Sequence, residues 1–364
     1  MFKKFYTIFS IIFIVNLILS CSDQVTEPRE PAKTKMYVYS NFGKTFYRVD
    51  YKTFEVEEEI QLAVADTISC QGMILSTNRD FLFFKAEGPY PNPPFGFAIY
   101  NINKDELENT FFTEFKGMGP AYFISAKNYS KPGLIYVHFR DHGTYSIDLF
   151  KQRVEELISD EHCFELDKRI FHSPDGKWTV VHKHWSSDIK GSFSELEFYA
   201  TNSGLHDLQF VLNKDDKDSV SVYDFEFSKD NRLYITFQLS DGRSRGIESY
   251  FGSYDLETKQ LYHSSLKFPW SLSGYFLGYS VKRNEVYAVS SDGQFYIIDT
   301  ETYSIKDTVD LSVVGEQSPI LITPDDNYAF VGYPDSDSIF VIDLDNRQVT
   351  KTISLTRPYN MIIP

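Results

Sequence analysis

The chain has 364 residues and carries 36 Lys and Arg against 51 Asp and Glu, a formal charge of −15. An acidic chain with no basic stripe argues against nucleic acid as a partner, because phosphates demand clusters of Lys and Arg. The 32 Phe and 25 Tyr sit among apolar residues that come in short runs with almost no helical period, which favours strands.

At the N-terminus, Lys3 and Lys4 precede an apolar stretch, Phe5 to Leu19, broken only by Thr7, Ser10 and Asn16. The stretch is short for a membrane span and ends at the small Ser20, which predicts a signal peptide over residues 1–20. Residues 22–35, "SDQVTEPREPAKTK", hold one large apolar side chain, Val25, and two prolines. They predict an extended, solvated tether. The run "ILSC", ending at Cys21, resembles the lipobox of bacterial lipoproteins. The resemblance implies cleavage before Cys21, a diacylglyceryl thioether on its sulfur and an acyl chain on its nitrogen. Several acyl chains give a stable anchor, at roughly 0.8 kcal/mol per buried CH₂. The protein is then expected in the bacterial cell envelope, with its domain facing the periplasm or the exterior. Ser22 after the Cys implies the outer membrane. An ordinary signal peptide with a chance Cys, or an uncleaved anchor, is the alternative.

Residues 36–364 read as repeats. "NEVYAVSSDGQFYIIDTETYSIKDTVDL" (284–311) and "NYAFVGYPDSDSIFVIDLDNRQVTKTISL" (327–355) share one order: strand, polar turn, strand ending in Ile-Asp, polar turn, strand ending in Leu. A further apolar segment precedes each, at Tyr275–Val281 and Pro319–Thr323. The first strand of a unit often leads into a tight turn such as "SPDG", "SKDN" or "TPDD", with residues suited to type I geometry. Traced backwards, the second strand of the unit recurs seven times: near Met36–Ser40, Phe81–Lys85, Leu134–His138, Trp178–His182, Leu233–Phe237, Val286–Ser290 and Tyr328–Gly332.

Repeated four-stranded units of this length predict an all-β protein, a seven-bladed β-propeller with four antiparallel strands per blade. Six or eight blades, or a pair of β-sandwich domains, are the alternatives. The polar tether supplies no first strand for blade 1. Tyr359–Ile363 is therefore expected to provide it and to close the ring. "MYVYSN" with "RVD", "VYAVS" with "IID", and the later "VID" resemble the YVTN-type repeat of bacterial and archaeal surface and periplasmic propellers. Blades 3 and 5 keep the Asp that ends the third strand, at Asp148 and Asp255. Blades 2 and 4 have Asn101 and Ala200 there. Cys70 and Cys163 fall in repeats that are not neighbours. Two buried free thiols are expected, since a disulfide needs a Cα separation under about 7 Å.

Propellers usually bind at the mouth of the central channel, at the face carrying the loops from a fourth strand to the next first strand and the loops between second and third strands. Those of blade 2 ("AEGPYPNPPFG", with Tyr90), blade 4 ("KHWSSDIKGSFSE") and blade 5 ("QLSDGRSRGIES", with Arg243 and Arg245) are long. Blade 3 offers His138, Arg140, Asp141 and His142 in "HFRDHG". With His182, His184 and Trp185 of blade 4, these make a candidate binding face for an unknown protein or small-molecule ligand. His138, His142, His182 and His184 are the candidate ligands if a divalent metal binds, although no familiar metal-binding motif is present. Lactonase-type propeller enzymes hold a metal with Glu, Asn and Asp on inner strands. Here Asn360, Glu226 and Asp224 are the nearest equivalents. There is no nucleophile elbow, phosphate loop or haem attachment motif. The expectation is a lipid-anchored binding or scaffolding module. A propeller enzyme, a metal-dependent hydrolase or an oxidoreductase, is the alternative.

Overall fold

A computed structural model describes residues 34–40, 44–65, 68–76, 78–88, 94–116, 121–124, 133–139, 143–158, 167–172, 178–187, 191–200, 206–212, 219–228, 230, 232–240, 248–258, 260–268 and 276–364. In chain order the strands are β1 (Lys35–Ser40), β2 (Thr45–Asp50), β3 (Glu55–Gln61), β4 (Ser69–Leu75), β5 (Phe81–Glu87), β6 (Pro94–Asn101) and β7 (Glu106–Lys116). Next come β8 (Ala121–Ile124), β9 (Leu134–Phe139), β10 (Gly143–Asp148), β11 (Arg153–Ile158), β12 (Asp167–His172), β13 (Trp178–Ser187), β14 (Gly191–Ala200) and β15 (His206–Leu212). They are followed by β16 (Ser219–Phe227), β17 (Arg232–Ser240), β18 (Glu248–Asp255), β19 (Gln260–Phe268), β20 (Phe276–Ser280), β21 (Glu285–Val289), β22 (Gln294–Asp299) and β23 (Ile305–Asp310). The last are β24 (Leu321–Ile322), β25 (Tyr328–Tyr333), β26 (Ser338–Asp343), β27 (Gln348–Ser354) and β28 (Pro358–Ile362).

Among the described residues these strands form seven four-stranded sheets, each antiparallel. Sheets 2 to 7 each take four consecutive strands, beginning at β4, β8, β12, β16, β20 and β24. Sheet 1 takes β1 to β3, and its fourth member is β28, paired with β1 through Tyr37↔Ile362, Val38↔Met361 and Tyr39↔Asn360.

In sheets 1, 2, 6 and 7 the second and third strands are buried along most of both faces, so such a sheet cannot stand alone. In β1 every residue from Met36 to Ser40 is buried. Outer strands are the opposite: β3, "EVEEEIQ", is exposed along almost its whole length, and its glutamates blunt an edge that would otherwise pair with other chains. The buried clusters accordingly lie between sheets. Tyr39 and Phe46 of sheet 1 pack on Phe84 and Tyr100 of sheet 2, with Phe46 5.0 Å from Tyr100 edge-on. Phe83 and Phe97 of sheet 2 meet Val137 and Ile147 of sheet 3. Strand β8 of sheet 3 touches β12 of sheet 4. Val180 and Leu196 of sheet 4 meet Val222 and Phe225 of sheet 5. Tyr234 and Phe251 of sheet 5 meet Leu277 and Val286 of sheet 6. Tyr287 and Phe295 of sheet 6 meet Val331 and Tyr333 of sheet 7. Phe330 and Val341 of sheet 7 meet Met36, Val49 and Met361 of sheet 1.

The Asp that ends the third strand has a structural task. Its Oδ1 accepts the N–H groups two and three residues on, an Asx turn. Asp50 does this for Lys52 (2.8 Å) and Thr53 (3.0 Å), and Asp299 for Glu301 (3.0 Å) and Thr302 (2.8 Å). Asn101 makes the same pair of bonds, to Asn103 and Lys104 at 2.9 and 3.0 Å. Sheet 2 therefore keeps the device, because an amide oxygen accepts as a carboxylate does. The residue four positions after the Asp or Asn turns left-handed: Phe54 (φ 61°), Asp105 (61°), Gln152 (52°), Tyr303 (55°) and Arg347 (54°). None is Gly, so each carries the Cβ cost of that conformation.

Four of these residues reach the preceding sheet. Asp105 of sheet 2 accepts from Arg48 of sheet 1 at 2.8 Å. Tyr303 of sheet 6 shares a hydrogen bond with Ser253 of sheet 5 at 2.6 Å. Arg347 of sheet 7 pairs with Asp307 of sheet 6 at 3.3 Å. Phe54 of sheet 1 packs edge-on against Tyr328 of sheet 7, ring centroids 4.9 Å apart.

Candidate functional site

The structure corrects the expected loop of sheet 4. Residues 183–195 are not a long loop: β13 runs on to Ser187 and β14 starts at Gly191. His182, His184 and Trp185 are strand residues, at register positions opposite Leu196, Ser194 and Phe193. Long alternation of polar and apolar residues in a two-residue period is compatible with a strand, and the Ser and Lys between them masked that signal. His138 likewise lies in β9, opposite Tyr122 on one side and Thr144 on the other. His172 ends β12 opposite Thr179. Tyr90, Arg140, Asp141, His142, Arg243, Arg245 and Cys163 lie outside the described residues. The connection from β17 to β18 is shorter than the expected 238–249, because β17 runs on to Ser240 and β18 starts at Glu248. Between β5 and β6 residues 88–93 remain.

Two of the three inner-strand residues considered for a lactonase-type site tie sheets together. Asn360 Nδ2 donates to the Met73 carbonyl on β4 at 2.7 Å, joining sheet 1 to sheet 2. Asp224 Oδ2 accepts the Leu277 N–H on β20 at 2.8 Å, joining sheet 5 to sheet 6. The two are equivalent positions: Asn360 lies opposite Tyr39, and Asp224 opposite Thr236, the fourth residue of each matching second-strand segment. A polar side chain here satisfies a backbone group of the next inner strand, which would otherwise go unpaired at the seam. Glu226 lies two residues beyond Asp224 on the same strand and is half-buried.

Other charged groups in the described residues also serve the seams. Arg48 donates to Glu58 and to Asp105, and Tyr100 donates its hydroxyl to the same Asp105. Burial alone would lower the Arg48 pKa, but the hydrogen bond and charge of Asp105 outweigh it and hold the guanidinium charged. The buried Glu285 accepts from Lys306 at 2.8 Å and lies 3.6 Å from Arg347 of sheet 7. Cys70 is a buried free thiol, as expected, and burial pushes its pKa up to about 11, which leaves it unreactive at neutral pH. Among the described residues no group of three or more His, Cys, Asp or Glu side chains is placed to hold a metal ion. No helix among them is long and apolar enough to cross a membrane.

The sheets and their packing define a class: the chain has a β-propeller fold, all-β and built of four-stranded antiparallel sheets. Solved structures with this architecture include the hydrazine synthase of Kuenenia stuttgartiensis, at 13% identity and a TM-score of 0.62, covering 86% of this chain and 93% of that one. A second is the dihydro-heme d1 dehydrogenase NirN, at 13% identity and a TM-score of 0.59, covering 92% of this chain and 76% of that one. A third is a putative 6-phosphogluconolactonase from Bacteroides fragilis, at 14% identity and a TM-score of 0.59, covering 92% of this chain and 99% of that one. At such identities the likeness carries the fold and no activity. No protein-family model matches the sequence. No curated protein matches it either.

Proposed function

We propose that the protein is a lipid-anchored, extracytoplasmic propeller whose seven sheets close into a ring and act as a rigid binding or scaffolding module. The observation that carries this reading is the use made of inner-strand chemistry. Asn360 and Asp224, the polar residues best placed for inner-strand catalysis, are spent on ties between sheets. Ring closure is supported by the chain of packed seams, which runs from sheet 1 through sheet 7 and back to sheet 1. The anchor rests on the lipobox-like "ILSC" and the tether. Thirteen residues between Cys21 and Lys35 span at most about 45 Å when fully extended. That reach allows the propeller to stand clear of a bilayer while staying attached.

Recognition then belongs to the segments between second and third strands, carried on the packed sheets. Replacing residues 241–247 with a Gly/Ser linker of equal length should leave the melting temperature unchanged and abolish cross-linking to the physiological partner. Unchanged cross-linking would refute the assignment of recognition to this face. The second reading, a metal-using propeller enzyme, draws on the enzymatic names of the structural relatives. It predicts stoichiometric metal in the purified protein, lost in a His138→Ala/His184→Ala double variant.

A further inference from the structure

We propose that the sheets meet the bilayer with one end, the end carrying the turns after first and third strands, and hold the opposite end away from it. The inference rests on the lipid-anchor reading and adds to it a membrane-facing surface. The chain enters the sheets through β1, the second strand of sheet 1. Tyr37 lies opposite Ile362 in antiparallel register, so Met36 sits at the end where β28 finishes. In an antiparallel sheet the third strand finishes there too, which places the Asp50 turn at the same end. Neighbouring sheets bring such turns together. Arg283, between β20 and β21, bonds Asp345, between β26 and β27, at 2.6 Å. Phe150, between β10 and β11, lies 4.9 Å from Phe81 at the start of β5. The other connections meet at the opposite end, where the Gly315 N–H donates to the Ser291 carbonyl at 2.9 Å and the Glu316 N–H to Asp335 at 3.3 Å.

The two ends differ in what accompanies their exposed apolar side chains. At the turn end Phe150, 45% exposed, is followed by the exposed Lys151, and Val281, 49% exposed, by the exposed Lys282. An apolar group beside a lysine suits the headgroup layer: the first enters it and the ammonium meets lipid phosphate. Carboxylates share this end, but Asp148 pairs with Lys151 at 3.3 Å, Asp326 accepts the Lys282 N–H at 2.7 Å and Asp345 is held by Arg283. At the opposite end Val314 belongs to the segment resting on Ser291 and Asp335, with Asp292, Glu316 and Asp335 all exposed. An anionic bilayer repels that set. Reach acts in the same direction. A flexible tether over residues 22–34 spans about 20 Å on average. The six residues of β1 measure about 20 Å along the sheet. Presenting the opposite end to the bilayer would make the tether cover that height as well, at a cost in chain entropy.

The test is amide hydrogen exchange on vesicles of phosphatidylcholine and phosphatidylglycerol. Residues 22–364 with an N-terminal hexahistidine tag are held on such vesicles by a nickel-chelating lipid and compared with the same protein in solution. The native product recovered from membranes is reconstituted alongside, without the nickel lipid. Exchange at 149–152 and 281–284 should slow by about fivefold, the gain of one lysine at an anionic surface. Exchange at 291–293, 312–316 and 335–337 should not change. A Lys151→Glu/Lys282→Glu double variant should stay on the vesicles and lose the slowing, with its melting temperature in solution unchanged. Slowing at 312–316 instead, equal slowing at both ends, or slowing at neither overturns the proposal. If the tagged chain shows the expected slowing while the native product fails to float with vesicles, the lipid anchor is refuted and the membrane-facing surface stands.

Discussion

Asp299 shows how much one side chain does in this repeat. The Thr302 N–H, the first cause, holds its carboxyl below the ordinary value of 3.8, and Asp255 is lowered in the same way by the Thr258 N–H. A carboxylate depressed in the folded state contributes stability that is present above its unfolded pKa. That stability is lost as pH falls through the lower folded value. The melting temperature should therefore decline below about pH 4. Asp299→Asn should flatten the decline while keeping the turn, as Asn101 does naturally. An Asp299→Asn variant with the same acid profile as the parent would show that this turn does not contribute. The motif "VID" was legible from sequence, but its reason was not. Asn101 departs from the motif by letter and keeps it by acceptor geometry.

At the scale of the element, the turn after the third strand of sheets 1, 2, 6 and 7 holds its left-handed residue and aims it at the preceding sheet. Phe54 combines a strained backbone with a useful contact. Phe54→Ala removes the ring and keeps the strain, whereas Phe54→Gly removes both. The glycine variant should be the more stable of the two by about 1 kcal/mol, measured by denaturant unfolding. Equal stabilities would mean that the positive φ carries no cost here. Tyr303→Phe should cost about 1 kcal/mol through the lost hydrogen bond to Ser253. These hooks escaped the sequence reading because Phe, Asp, Tyr and Arg share no chemistry. Only their fixed spacing from the Asp or Asn marks them. The same is true of Asn360 and Asp224, whose ties to the neighbouring inner strand no local pattern announces. In sheet 4 the failure ran the other way. His184 and Trp185 were assigned to a loop because flanking Ser and Lys residues hid a strand of ten residues.

For the whole molecule, strand order and sheet composition were well marked in the sequence. Each sheet needs apolar runs at regular spacing, and those runs survive even where the turn motifs have drifted. Less legible was how the seams are held. The seams among the described residues differ in their mix of aromatic packing, ion pairs and side-chain ties. The anchor is a separate matter, resting on residues 1–35. For the proposed anchor, Cys21→Ser should abolish incorporation of labelled fatty acid and leave the precursor uncleaved at that site. A variant still labelled and normally processed would contradict lipidation.

In the proposed ring, β28 pairs with β1 and so joins the last part of the chain to the first sheet. Met361 and Ile363 are buried in the seam between sheets 7 and 1, and Asn360 ties that seam onward to sheet 2. The most direct measurement is thermal unfolding of a chain lacking residues 358–364. Loss of one inner strand should lower the melting temperature by about 10 °C or more. It should also remove hydrogen-exchange protection from the amides of β1 that face β28. A truncated chain that melts within a degree of the parent, with β1 still protected, would contradict the closure.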